Sequence, residues 1–376
     1  MHPATAPRDH RGDARLLAVD RDSGAVRDGD IADLPGLLRR GDLLVVNDAA
    51  TLPAALHART DDGAPVELRL TGAPEADRVR VVLFGAGDWR TPTERRPPPP
   101  PLRPGDILRF TTGPEGHVPG DLSDLTATIA AVDPRTPRLV TLRFAAGADV
   151  TRPKADDPVP PGAREAAPNA ALWSALYRLG RPVQYSYLTA PLALWSVQTA
   201  FAARPWAAEM PSAARPLAWS TLLALRRAGV GIAALTHAAG LSSTGDPTLD
   251  ALLPLPERYD LPAATIAQIH ATRARGGRVI AVGTTVVRAL EGCVAARGEL
   301  RPGPGETDLV LTAAFVPRVV DGLLTGMHDP SESHFHLLRA FAGESVLLAA
   351  WRHANAGRYL QHEFGDATLL VRDLAA

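Results

Sequence analysis

Two hydrophobic rhythms divide the chain. In "GDLLVVNDAATLPAALHA", residues 41–58, Leu43 to Val46 form an unbroken apolar run that closes on the turn-prone pair Asn47-Asp48. Such a run suits a strand buried on both faces, and its polar end suits the edge of a cleft. From 59 to 150 the texture changes to short β-leaning segments, "PVELRLTG", "DRVRVVLFG", "GDILRF", "LTATIAAVD" and "PRLVTLRFA", set apart by Gly, Pro and Asp turns. That spacing predicts a small all-β barrel or sandwich. Residues 151–164 are rich in proline and charge and read as a linker. After it, helical periods such as "NAALWSALYRLG" and "LPAATIAQIHATRARGG" alternate with strand-like "VGIAALTH", "GRVIAVG" and "TDLVLTAAF". The fold predicted is therefore α/β, with a largely parallel sheet in a main domain (1–58 and 165–376) and a small all-β barrel domain inserted at 59–150.

Composition bounds the class of protein. The chain has 376 residues, 45% of them apolar, which is enough for a large core and more than one compact domain usually holds. It contains no uninterrupted apolar run of membrane-spanning length, and its N-terminus is polar, so the expectation is a soluble, cytoplasmic protein and a monomer. Cys293 is the single cysteine, which excludes an internal disulfide framework and a cysteine-based zinc cluster. A net charge of -1 argues against binding nucleic acid through a large overall positive excess, while leaving room for a local basic patch. Lys154 is the only lysine, so the abundance of arginine is a chain-wide bias. The five prolines in "RRPPPPPLRPGD" predict an extended connection that cannot join a sheet interior.

Candidate chemistry collects where predicted strands end. In "RVIAVGTTVVRALEG", residues 278–292, Gly283 permits a tight turn, and Thr284 or Thr285 can cap the helix that follows. The open N-terminus of a helix suits a carboxylate, a phosphate or sugar hydroxyls. "ALTHAAGLSSTGD" places His237 at the mouth of a second strand, and "VVDGLLTGMHDPSESHFH" places Thr325 and His328 at a third. In open α/β sheets ligands bind at the carboxyl ends of strands, so three such ends suggest a shared cleft.

These segments resemble the S-adenosylmethionine:tRNA ribosyltransferase-isomerases of queuosine synthesis. "GGRVIAVGTTVVRALEG" is similar to that family's signature segment, and "GDLLVVNDAATLPAAL", "VQTAFAARPWAAEMPSAARPLAW", "LLTGMHDPSESHFHLLRAFAG" and "FGDATLLV" follow in the family's order. The resemblance implies transfer and isomerisation of the ribosyl part of S-adenosylmethionine onto 7-aminomethyl-7-deazaguanine in tRNA, releasing adenine and methionine. S-adenosylmethionine is then a ribosyl-donating substrate, tRNA the partner, and no metal is expected. His237 and His328 are implied as the catalytic pair, one removing a proton from carbon beside the sulfonium and one supplying a proton to adenine. Thr284, Thr285 and Ser212 are implied to bind ribose hydroxyls or the methionine carboxylate. Asn47, Gln198, Arg215, Arg288, Thr325 and Asp366 complete the implied substrate-binding set.

The chain also departs from the family pattern. Pro216 stands where the family has a histidine, Gly326 stands for an asparagine before His328, and Asp329 stands for a leucine. Because the departures gather at strand ends, two alternatives stay open: a divergent homologue acting on another acceptor, and a non-catalytic nucleoside- or RNA-binding protein. A metal-dependent hydrolase using His328, His334, His336 and Asp329 is a third reading, without an established ligand spacing.

Overall fold

The computed structural model describes residues 1–112, 125–144 and 170–374. The linker expected at 151–164 lies outside the described residues. Its strands are β1 (Arg15–Asp20), β2 (Val26–Asp30), β3 (Leu43–Asn47), β4 (Ala55–Arg59), β5 (Pro65–Leu70), β6 (Arg78–Phe84), β7 (Ile107–Thr111), β8 (Thr126–Val132) and β9 (Leu139–Phe144), followed by β10 (Gly231–His237), β11 (Glu257–Leu261), β12 (Val279–Val282), β13 (Gly303–Thr307), β14 (Gly322–Gly326) and β15 (Ala367–Val371). The helices that matter here are α1 (Ala170–Leu179), α2 (Trp219–Arg227), α3 (Ala263–Ala274), α4 (Thr284–Arg297), α5 (Ser333–Leu338) and α6 (Glu344–Ala356).

Nine strands form one sheet in the order β13-β11-β10-β3-β12-β14-β15-β1-β2. Its centre, β10-β3-β12-β14, is parallel throughout. Outward from there, β11 and β13 on one side and β15 on the other join antiparallel, β1 lies parallel to β15, and β2 returns antiparallel. The sheet is thus mixed, and the expectation of a largely parallel sheet holds only for its four central strands. An apolar run records that a strand is covered on both faces; it does not record the direction of its neighbour.

Alternate side chains of these strands enter two cores, as a pleat requires. Leu43, Val45, Val279, Ala281, Leu235 and Leu323 face α3, α4 and α6, meeting Ile269, Val287, Leu290 and Leu347. Leu44, Val46, Ile280, Val282, Leu324 and Leu369 face the other way, against Leu34, Leu37, Leu222 and Leu225. All these strand residues are almost wholly buried.

Six antiparallel strands, β8-β9-β6-β5-β4-β7, close into a barrel. Val66, Leu68 and Leu70 of β5 fill its interior with Leu56, Val81, Leu108 and Leu142. The opposite face of β5 is equally inaccessible: Glu67 and Arg69 lie outside the barrel core yet are 3% and 1% exposed. Arg96 covers Glu67 through a buried ion pair, and the segment after α1 covers Arg69, whose guanidinium sits 5.5 Å from the Tyr185 ring. Among the described residues, no helix is long and apolar enough to cross a membrane.

Candidate active site

The four parallel strands end on one edge, where polar side chains and one glycine corner gather. Asn47 closes β3 and is fully buried. Its carboxamide behaves like one more peptide unit of the ladder: Nδ2 donates to His237 O at 2.9 Å, and Oδ1 accepts from His237 N at 2.9 Å and Ala49 N at 3.0 Å. Nδ2 also reaches Thr285 Oγ1 at 3.3 Å. Three of the strand-end corners predicted from the sequence are therefore fastened to one another.

At the next end, Gly283 adopts φ +86°, a left-handed conformation that glycine accepts at no steric cost, and its N–H donates to Leu324 O. This corner turns β12 into α4, whose first residue is Thr284. A side chain on Gly283 would stand 3.4 Å from the Ala213 methyl, which places the short turn Ser212–Ala214 beside it.

His237, at the end of β10, has no accessible surface, and neither ring nitrogen has a hydrogen-bond partner. Burial, reinforced by the nearby Arg288 charge, pulls it down to about 3, so the ring is neutral near pH 7. Arg288, one face of α4, forms a buried ion pair with Glu257, and its Nε donates to Leu309 O at 3.1 Å. His328 is half-buried beyond β14. Its Nε2 lies 3.0 Å from Thr325 Oγ1 and its Nδ1 lies 3.7 Å from Glu332. Its ring stacks on that of His334 at 5.2 Å and 11°.

Arg215 is 5% exposed, and its Nε donates to Ser196 O at 3.0 Å while the guanidinium lies 4.7 Å over Phe364. Burial and the neighbouring charges of Arg11 and Arg8 lower it to about 10. Among the described residues no carboxylate pairs with Arg215. Arg8 instead reaches Asp366 at 2.5 Å, leaving its own buried Nε without a partner.

Two predicted binding residues have their polar atoms occupied by the protein itself. Gln198 pairs with the backbone of Thr51 through both ends of its carboxamide, at 3.0 and 2.9 Å. Asp366 accepts from Arg15 N at 2.9 Å and Leu360 N at 2.8 Å as well as from Arg8. Asp366 thus ties down the loop 360–366, a turn so tight that a side chain on Gly365 would lie 2.4 Å from Leu360 O. That loop presents His362, at φ +70°, and Glu363.

These two and several partners were not legible from the sequence. The Tyr187 ring stacks on His362 at 4.3 Å and on Tyr185 at 6.0 Å. Tyr187 donates its hydroxyl to Glu363, and Tyr185 donates to Glu209. Gln184 fixes the turn that carries both tyrosines, bonding Ala190 O at 3.2 Å and Leu192 N at 2.8 Å. Tyr185, Tyr187, Glu209, Glu332, His328, His334, His362 and Glu363 are all half-buried, deep among neighbours yet still wetted, as residues lining a cleft are. Burial raises Glu209, and raises Glu363 to about 7 in spite of the Tyr187 hydrogen bond. His334 is lowered to about 4, first by burial and then by His328. Among the described residues, no group of three or more His, Cys, Asp or Glu is arranged to hold a metal ion.

The family model described as "Queuosine biosynthesis protein" matches residues 2–370. The chain belongs to this family. A protein named S-adenosylmethionine:tRNA ribosyltransferase-isomerase from Acidithiobacillus ferrooxidans is 36% identical over 98% of this chain and 94% of its own. One of the same name from Synechococcus elongatus is 34% identical over 98% and 92%. A crystal structure of S-adenosylmethionine tRNA ribosyltransferase from Thermotoga maritima aligns with a TM-score of 0.48 at 23% identity, over 98% of this chain and 96% of that one. Within this queuosine biosynthesis family, the match runs through the strand-end corners and the barrel alike, since it spans nearly the whole chain.

Proposed function

We propose that this chain is an S-adenosylmethionine-dependent ribosyltransferase-isomerase that acts on tRNA. It moves the ribosyl unit of S-adenosylmethionine onto the aminomethyl group of a 7-deazaguanine base, with adenine and methionine as the other products. The observation that carries this reading is the family match over residues 2–370, which includes every strand end that borders the cleft.

The side chains support a division of labour. His328 is half-buried and its Nε2 is oriented by Thr325, so it is our candidate for proton transfer at the carbon beside the sulfonium. His237, neutral and with no accessible surface, stands behind the mouth of β10 beside Glu257 and supports the nucleoside site from within. The first turn of α4, with Thr284, suits ribose hydroxyls. Arg215, flanked by Arg8 and Arg11, has planar donors that suit the methionine carboxylate. Asn47, Gln198, Asp366 and Thr285 hold the walls through the backbone and side-chain bonds described above. Ser212 opens the turn that leads to Arg215.

The test is to incubate the protein with S-adenosylmethionine, with and without tRNA carrying the aminomethyl base, and to separate adenine and methionine by chromatography. The reading predicts that both are released in equal amounts only with that tRNA. Equal release without tRNA, or none with it, contradicts the reading.

A further inference from the structure

We propose that Glu363 and Glu209, each bonded to a tyrosine hydroxyl in the cleft wall, form the seat of the acceptor's primary amine, with Glu363 taking its proton. The proposal rests on the reaction proposed above and names the groups that would receive the tRNA's reactive end.

The charge balance of the cleft points to a cation. Three half-buried carboxyls, Glu209, Glu332 and Glu363, stand close enough for the first two to repel charge on the third. Arg69 and Arg96 share the carboxylate of Glu67, and Arg69 also acts on Glu209, whereas among the described residues Glu332 and Glu363 have no arginine partner. Arg69 pairs with Glu67 at 2.8 Å, and Arg288 pairs with Glu257. Burial holds His334 and His362 below their ordinary values, so these rings add little positive charge near pH 7. His328 faces Glu332 directly, at 3.7 Å, and His362 acts on it more weakly. An arrangement of this kind is relieved when a positively charged group enters it.

The geometry favours an ammonium over a sulfonium. Tyr187 approaches one oxygen of Glu363, Oε2, and Tyr185 approaches one oxygen of Glu209, Oε1. Glu209 also accepts from the hydroxyl and backbone N–H of Ser242, so Glu363 keeps the freer lone pairs for an N–H donor, and a sulfonium has no such hydrogen to give. The stacked faces of Tyr185, Tyr187 and His362 add a π surface at the same place. For the amine to act as a nucleophile it must lose one proton. That proton passes from the ammonium nitrogen to a Glu363 oxygen, giving a neutral amine with a free lone pair and a neutral carboxylic acid. A carboxyl held near 7 is matched to this transfer at neutral pH.

The experiment compares two tRNAs that differ only at the base side chain, 7-aminomethyl- and 7-cyano-7-deazaguanine, binding each to the protein without S-adenosylmethionine. The wild-type protein should bind the amine-bearing tRNA about tenfold more tightly, the scale of one charge-assisted hydrogen bond. Glu363→Gln should remove most of that preference while affinity for the cyano tRNA stays the same. Thermal unfolding checks that the variant is folded. If it is not, Tyr187→Phe, which keeps the ring and frees Glu363 Oε2, should change the preference instead. A preference that survives in Glu363→Gln and Glu209→Gln overturns the proposal. So does a wild-type protein that transfers the ribosyl group yet shows no preference. Failure of the wild type to transfer it at all refutes the reaction rather than this seat.

Discussion

Glu257 Oε2 lies 3.3 Å from His237 Nε2, but the same oxygen is held by the Arg288 guanidinium, and the imidazole is left without a hydrogen bond. The carboxylate therefore serves the arginine and leaves the histidine neutral. Its other oxygen accepts from Gly240 N at 2.6 Å, which ties the loop after β10 to the same ion pair.

Removing one member of that pair leaves a buried charge unmatched. Arg288→Ala should lower stability by about 3–5 kcal/mol, read from urea unfolding, with Arg288→Lys closer to wild type. A variant of unaltered stability would show that Glu257 finds another partner or a proton at no cost.

Glu363 links stability and activity to pH in opposite directions. Burial raises it to about 7 in the folded protein from an ordinary value of 4.5, with Glu209 and Glu332 adding repulsion and Tyr187 opposing. The folded state therefore binds the proton more tightly than the unfolded chain does. This contribution is complete below pH 4.5 and is lost as pH rises toward 7. Glu363→Gln should flatten the fall of melting temperature across that window. Turnover should rise with pH through about 7 in the wild type and lose that limb in the variant. Coincident pH profiles of the two proteins would contradict the assignment.

Asp366 acts by holding the loop 360–366. Asp366→Ala deprives two backbone N–H groups and Arg8 of their acceptor, and should cost about 3 kcal/mol. Hydrogen exchange should increase at Leu360 and Arg15 before it does in the sheet centre. Exchange confined to other regions would argue against this role.

Arg215 provides a test of the donor's orientation. Arg215→Leu should weaken S-adenosylmethionine by about tenfold or more, on the scale of hydrogen bonds to a charged group. Binding of 5′-methylthioadenosine, which has no carboxylate, should be unaffected. Equal losses for both ligands, measured by calorimetry on a folded variant, would move the carboxylate elsewhere.

The legible part of this fold is the part that periodicity records. Leu43–Val46 announced a central strand, and Gly283-Thr284-Thr285 announced the corner where α4 begins, because each is a contiguous signal. The short alternating segments likewise announced the barrel. Strand direction left no such trace: Ala367–Val371 reads as a buried strand whether it runs with or against β14. The candidate site residues foreseen from the sequence, such as His237 and His328, are those that stand at strand ends. Tyr185, Tyr187, Glu209 and Glu363 lie on three separate loops, and only tertiary packing brings them together. The one local hint is the polar, aromatic run "VQYSYL", which has neither helical nor strand partners to explain its two tyrosines. Asn47, Gln198 and Asp366 show the converse limit. Their side chains bond backbone groups, which a sequence cannot distinguish from bonding a ligand.

This protein delivers a ribosyl unit to a tRNA base. The most direct measurement uses S-adenosylmethionine labelled with carbon-13 throughout its ribose, the tRNA bearing 7-aminomethyl-7-deazaguanine, and mass spectrometry of the digested nucleosides. All five labelled carbons should arrive on that base while unlabelled adenine and methionine are released. An unlabelled base beside intact S-adenosylmethionine would contradict it.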